Sequence, residues 1–172
     1  MQTHHYPTVA ITAEMIEEAE RIIPFTQVNR TRASAIDTLT GHLGEMAFAQ
    51  YYFGDWHKHR LGQNKGEVDF PNIEIKTSAF LFSTKLHLLV REDYAAKRKP
   101  TYYVQIILDV KNAHAETIPV GTIAIVCGYA TSEEIDSAPL KDFGSKIGTE
   151  GGYRCRYISI ENLHPIGEIT SP

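Results

Sequence analysis

Glu67-Val68-Asp69-Phe70-Pro71-Asn72-Ile73-Glu74-Ile75-Lys76 is the stretch on which the fold turns. Two acid-bearing segments flank Pro71-Asn72, and the second alternates apolar and charged residues as a half-buried strand does. If the chain folds back at Pro71-Asn72, a two- or four-residue loop sets Asp69 directly opposite Glu74, with Cβ atoms roughly 5 Å apart on one face. Lys76, two residues on, joins that face, while Val68, Ile73 and Ile75 fill the other. Proline cannot take the positive φ that the favoured two-residue hairpin turns require, so a longer loop is expected here, and an odd-numbered one would break the pairing. Opposed carboxylates repel unless a cation lies between them, and hard oxygen donors on a half-exposed strand suit Mg²⁺ or Mn²⁺ better than zinc.

Upstream of this stretch the hydrophobic period is helical. Thr12 to Ile23 predicts a first helix, with Thr12 as N-cap and Pro24 as its end. A second helix is expected from Asp37 or Thr38 to Phe53, stopped by Gly54, with Leu39, Leu43, Met46, Ala47, Gln50 and Tyr51 as its buried stripe. Glu45 lies off that stripe beside Gly44, where the helix can come close to another backbone. Trp56–Leu61, Glu67–Phe70 and Ile73–Ser78 are strand candidates that Phe80–Val90 would extend. Arg91–Lys99 then reads as a basic helix before Pro100. Tyr102–Val110 is the clearest buried strand, followed by a strand at Thr122–Tyr129, a Ser132-capped turn and a last strand at Tyr153–Ile160. The order predicts an α/β domain with a mixed sheet of at least five strands and helices on its faces.

The chain of 172 residues, 42% apolar and 22% charged, has the makings of one globular domain and not of a disordered or collagen-like chain. No apolar run reaches membrane-spanning length and no signal-peptide pattern opens the chain, so a cytoplasmic protein is expected. Cys127 and Cys155 are too few and too far apart for a disulfide framework or thiolate zinc site, and read as small buried apolar residues. The net charge of -4 hides an asymmetry: residues 58–111 hold ten basic against six acidic residues, whereas both flanking parts are acidic. A basic middle third can present a focused positive field to an anion. His57 and His59 would share a strand face, with His42 and His87 as remote partners, but no further ligand follows at a recognisable zinc spacing. A second acid-x-Lys triplet, Asp109-Val110-Lys111, lacks an acid delivered by a preceding hairpin.

Gly44-Glu45 on a helix, Asp69 before a turn, then Glu74-Ile75-Lys76 on an apolar strand resembles the PD-(D/E)XK nuclease superfamily, with Val68 where the family name has proline. The resemblance covers about residues 37–110 and implies a restriction-endonuclease-like α-β-β-β-α-β core. With the last strand added, the core would run over about 37–130, preceded by an N-terminal helix and extension (1–36) and followed by C-terminal additions (131–172). It implies that Asp69, Glu74 and the Ile75 carbonyl bind Mg²⁺, for which Mn²⁺ would substitute, with Glu45 reaching the metal directly or through water. Lys76 would orient or deprotonate the attacking water, and Gln105 would sit near the metal. Lys58, Arg60, Lys65, Lys85, Thr77 and Ser78, with His57 and His59, would contact phosphate, and Lys97-Arg98-Lys99 offers a further basic cluster. The expected function is a metal-dependent DNA endonuclease in restriction, repair or junction processing. The alternatives are a non-catalytic nucleic-acid-binding module of the same fold and an RNA-directed nuclease. One site per chain makes a homodimer the expected assembly for cutting both strands.

Overall fold

The computed structural model describes residues 6–26, 32–62, 69–92, 99–112, 117–142 and 154–169. Side chains are described for these except residues 24–26, 32–35 and 60–62. Glu67, Val68, Lys65, Lys97 and Arg98 lie outside the described residues, and so does most of the expected basic helix.

The main sheet has four strands in the order β1 (Thr8–Ala10), β5 (Ile123–Thr131), β4 (Tyr102–Asp109), β2 (Ile73–Phe80). β1 and β4 run antiparallel to β5, and β2 runs parallel to β4, so the sheet is mixed and β2 is an edge. A parallel pair needs a long crossover. That crossover, residues 81–101, carries β3 (His87–Arg91) away into a second sheet, where it pairs with β7 (Arg154–Ser159) and β7 with β6 (Leu140–Asp142), all antiparallel. One sheet of at least five strands was expected; the described residues form two, of four and three strands. The C-terminal part thus interleaves with the middle of the chain through β3 and β7.

Helix α1 (Ala13–Thr26) begins where expected, with the Met15 N–H donating to Thr12 Oγ1 at 3.2 Å. It runs through Pro24 to Thr26, since proline removes only its own N–H and this one falls in the final turn. Helix α2 (Arg32–Phe53) starts earlier than Asp37, because Arg32, Ala33 and Ala35 are good helix formers that extend it. It stops at Gly54, whose φ of +74° suits a residue without Cβ. Leu39, Leu43, Met46 and Ala47 of the expected stripe are buried, and so are Thr40, Phe48 and Ala49, while Gln50 and Tyr51 are half-buried. The helix is wrapped on more than one side because it packs on both β2 and α1.

Residues Trp56–Gly62 form a 3₁₀ helix, not a strand. Asp55 caps it: its Oδ1 accepts from the His57 N–H at 3.0 Å and its carbonyl from the Lys58 N–H at 3.2 Å. A local side-chain acceptor therefore outcompetes the alternating pattern. The six-residue helix α3 (Ser132–Ser137) is capped by Thr131 in place of Ser132, for only Thr131 has a Glu three residues on to complete a capping box. Both cysteines are buried and free, and burial pushes the Cys127 thiol up to about 12. No helix among the described residues is long and apolar enough to cross a membrane.

Candidate active site on the open edge of the main sheet

The turn at Pro71-Asn72 has two residues, not more. Phe70 and Ile73 exchange backbone hydrogen bonds of 3.0 and 2.9 Å across it. Asn72 supplies the positive φ, +66°, at the second central position, which type II turns reserve for Gly or Asn and which leaves the first free for proline. A longer loop was expected because of Pro71, but Asn72 supplies the positive φ; the loop is thus of the even length that a pairing of Asp69 with Glu74 requires, with the bridge itself between Phe70 and Ile73.

Because the Tyr102 N–H donates to the Asn72 carbonyl, the alternation of the parallel ladder turns the backbone groups of Ile75 away from β4 toward the open edge. Asp69 fills that position: its Oδ2 accepts from the Ile75 N–H at 2.7 Å. Ile75 presents its carbonyl on the same side, while its side chain is buried in the main core with Ile73.

Helix α2 brings the remaining acid. Gly44 makes this possible, since a Cβ built on it would fall 2.6 Å from Thr77 Cβ and overlap the Thr77 hydroxyl. With no side chain at 44 the helix lies directly on β2, and Glu45 hydrogen-bonds Asp69. Burial and the Glu74 charge lift the Glu45 carboxyl to about 7, against the lowering effect of the Asp69 hydrogen bond. Burial, the Glu45 charge and that hydrogen bond lift Asp69 to about 8, although the Ile75 N–H and Lys76 pull the other way. Glu74, 5% exposed, has Oε1 3.5 Å from Lys76 Nζ. Glu45, Asp69, Glu74 and Lys76 are thereby gathered from a helix, a turn and a strand within each other's electrostatic reach.

His42, expected only as a remote partner of His57 and His59, stands three residues before Glu45 on α2. Its Nδ1 lies 3.9 Å from Glu45 Oε2 and burial lowers its pKa. The i, i+3 spacing on a helix is the signal that places it there. Gln105 is buried opposite Lys76 in the β2–β4 register, and its Nε2 donates to the Ile106 carbonyl at 2.9 Å.

Other expected contacts are dispersed. Thr77 Oγ1 is buried under Gly44 and does not face the open edge, whereas Ser78 is half-buried. Lys58 is exposed, its Nζ 5.2 Å from the centre of the Phe53 ring, and Lys85 is exposed on the crossover. The Arg60 side chain is outside the described set. Lys99 forms an ion pair with Asp136 at 2.6 Å. His57 and His59 do not share a strand face: exposed His57 pairs with Asp55 at 2.9 Å, and buried His59 meets the Trp56 carbonyl at 2.9 Å. His87 packs its ring edge-on with Tyr157.

Among the described residues no three His, Cys, Asp or Glu side chains are grouped as a metal cage. The donor chemistry nonetheless suits a hard cation: the half-buried carboxyls of Glu45 and Asp69 meet near the buried Glu74, and the Ile75 N–H that donates to Asp69 shares the strand edge with the Ile75 carbonyl. No protein-family model matches the chain, and neither does any curated protein or solved structure.

Proposed function

We propose that the protein is a Mg²⁺-dependent endonuclease that hydrolyses DNA phosphodiester bonds at the open edge of β2, in line with the resemblance to the PD-(D/E)XK superfamily. The observation that carries this reading is the meeting of Glu45 with Asp69 beside Glu74 and Lys76, produced by three separate elements of the chain. Carboxyls brought together in half-buried and buried positions are costly for stability, and carboxyls so perturbed mark a functional-site candidate.

Glu45, Asp69, Glu74 and the Ile75 carbonyl would hold the cation, with any proton on Glu45 or Asp69 leaving as it binds. When bound, Mg²⁺ supplies charge relief for the phosphodiester oxygens and a more acidic water. The Lys76 ammonium, fixed by Glu74, orients the water that attacks phosphorus in line, and the water's proton passes to a carboxylate of the site. The bond from phosphorus to the leaving oxygen breaks as the new one forms, and the leaving oxygen takes a proton from solvent. Gln105 supports Lys76 from the adjacent strand, and Lys58, Lys85 and Ser78 contribute phosphate contacts along the edge.

The test is incubation of the chain with supercoiled, linear, single-stranded and branched DNA, with and without Mg²⁺ or Mn²⁺, beside Glu74→Ala and Lys76→Ala. Metal-dependent cutting lost in both variants supports the reading. DNA binding with no cutting of any form would assign a binding module, and cutting confined to RNA would reassign the substrate.

A further inference from the structure

Farther along the same edge strand lies a cavity of about 300 Å³, at the lower end of the size range of small-molecule sites. It opens between the first half of α2 and the second half of β2, and its walls include Ile36, Thr40, Thr77, Ser78, Phe80 and Ile118. Two features give it the character of a binding site. Its walls mix aliphatic side chains with the polar side chains of Thr40, Ser78 and Asp37. Phe80, 45% exposed although aromatic, stands at the rim with a face available for stacking.

Position narrows the ligand. Ser78, on the same strand face as Lys76, follows it by two residues, so this part of the cavity wall lies roughly 7 Å along the strand from the lysine of the candidate catalytic cluster. That is about the separation of neighbouring phosphates along an extended single strand, whose bases are free to turn aside. We propose that this cavity takes one unstacked nucleobase of the substrate strand, next to the phosphate held at Glu74 and Lys76. Phe80 and the aliphatic wall contact its faces, while the hydroxyls and Asp37 meet its polar edge. The proposal rests on the nuclease reading above for the identity of the strand, and on the cavity alone for the affinity for a base.

Two measurements separate these. Saturation-transfer NMR with adenosine, guanosine, cytidine and thymidine is run on the wild-type chain and on Ala79→Leu, which extends a wall residue into the space. At least one nucleoside should receive saturation from the wild type and markedly less from Ala79→Leu, with backbone amide shifts at Thr77, Ser78 and Ile118. In parallel, 2-aminopurine is placed at successive positions of DNA bound to Asp69→Ala, a variant chosen to bind without cutting. A several-fold fluorescence rise should occur at one position beside the cut and vanish when Ala79→Leu is added. If Ala79→Leu does not fold, Ser78→Leu at the rim replaces it. Cutting of DNA with neither a fluorescence rise nor nucleoside binding overturns the pocket and leaves the nuclease intact. Nucleoside binding without DNA cutting overturns the nuclease and keeps a base-binding pocket, and absence of both removes both.

Discussion

Neighbouring strands of the main sheet each carry an acid, an aliphatic residue and a lysine, Glu74-Ile75-Lys76 in β2 and Asp109-Val110-Lys111 at the end of β4. Their spacing is identical and their surroundings are not. Glu74 is buried at the head of an edge strand, where the turn brings Asp69 across and α2 brings Glu45 down. Asp109 sits opposite Phe80, where β2 leaves the sheet, and its Oδ1 accepts from the Phe82 N–H at 2.9 Å. Its carboxylate caps a departing backbone, and Lys111 is exposed beyond it. An acid-x-Lys triplet thus acquires chemistry from what the fold lays against it and not from its own spacing.

The largest expected effect separates these triplets directly. Glu74→Ala or Asp69→Ala should lower cleavage by about a hundredfold or more and weaken Mn²⁺ binding in calorimetry, because each removes a proposed ligand. Lys76→Ala should lower cleavage comparably while Mn²⁺ binding persists or tightens, since a cation has been removed from beside the metal. Normal Mn²⁺ binding and cutting in Glu74→Ala, together with loss of both in Asp109→Ala, would exchange the roles assigned to the strands.

The approach of α2 to β2 comes next. Gly44→Val should destabilise the fold by about 1–3 kcal/mol or more, since its side chain must displace Thr77. Pairing Gly44→Ala with Thr77→Gly should recover part of the loss seen in Gly44→Ala alone, a coupling readable by urea unfolding. Additive effects would mean that the helix does not rest on that residue.

Stability against pH provides a third contrast. Glu45 and Asp69, lifted to about 7 and about 8, keep a proton in the folded protein that their unfolded counterparts release near pH 4. With more protons bound to the native state, stability in a chelator is full below about pH 4 and declines as pH rises toward 8. A fall in Tm of several degrees across that interval is expected, and Asp69→Asn, which keeps an acceptor for the Ile75 N–H, should flatten it. Mn²⁺ affinity should rise over the same upper range, because the cation takes the place of the proton. A protein that gains stability from pH 5 to 8, with Asp69→Asn behaving like wild type, would contradict the raised carboxyls of Glu45 and Asp69.

The smallest effect belongs to β4. Asp109→Ala leaves the Phe82 N–H without its acceptor and should cost about 1 kcal/mol, a Tm loss of roughly 2–4 °C, with cutting unchanged. Lys111→Ala should change neither stability nor cutting.

Several features were legible in the residues because their causes are local. Thr12 as a cap, Gly54 as a stop, the β4 run of aromatic and β-branched residues, and Glu74 with Lys76 on one strand face all follow from neighbours a few positions apart. Where the structure departs from the expected local pattern, the cause is also a neighbour: Asn72 beside Pro71, Asp55 beside the alternating histidines, and Thr131 beside Ser132. Nothing local could show that β3 leaves the main sheet to join β7, because Leu88 and Val90 are equally buried under either pairing pattern and the partner strand lies far along the chain.

The sequence by itself determined which residue types were present to do chemistry: a helical Glu beside a glycine, an Asp before a turn, and an acid and a lysine two apart on a strand. Only the tertiary structure decided that Glu45 meets Asp69, that His42 stands beside them and that Asp109 serves the backbone of Phe82. The reason is physical. Which face a side chain occupies is a matter of helix and strand period, fixed within a few residues. Which groups meet depends on how closely two elements pack, and that distance is set at Gly44 and Thr77, more than thirty residues apart in the chain.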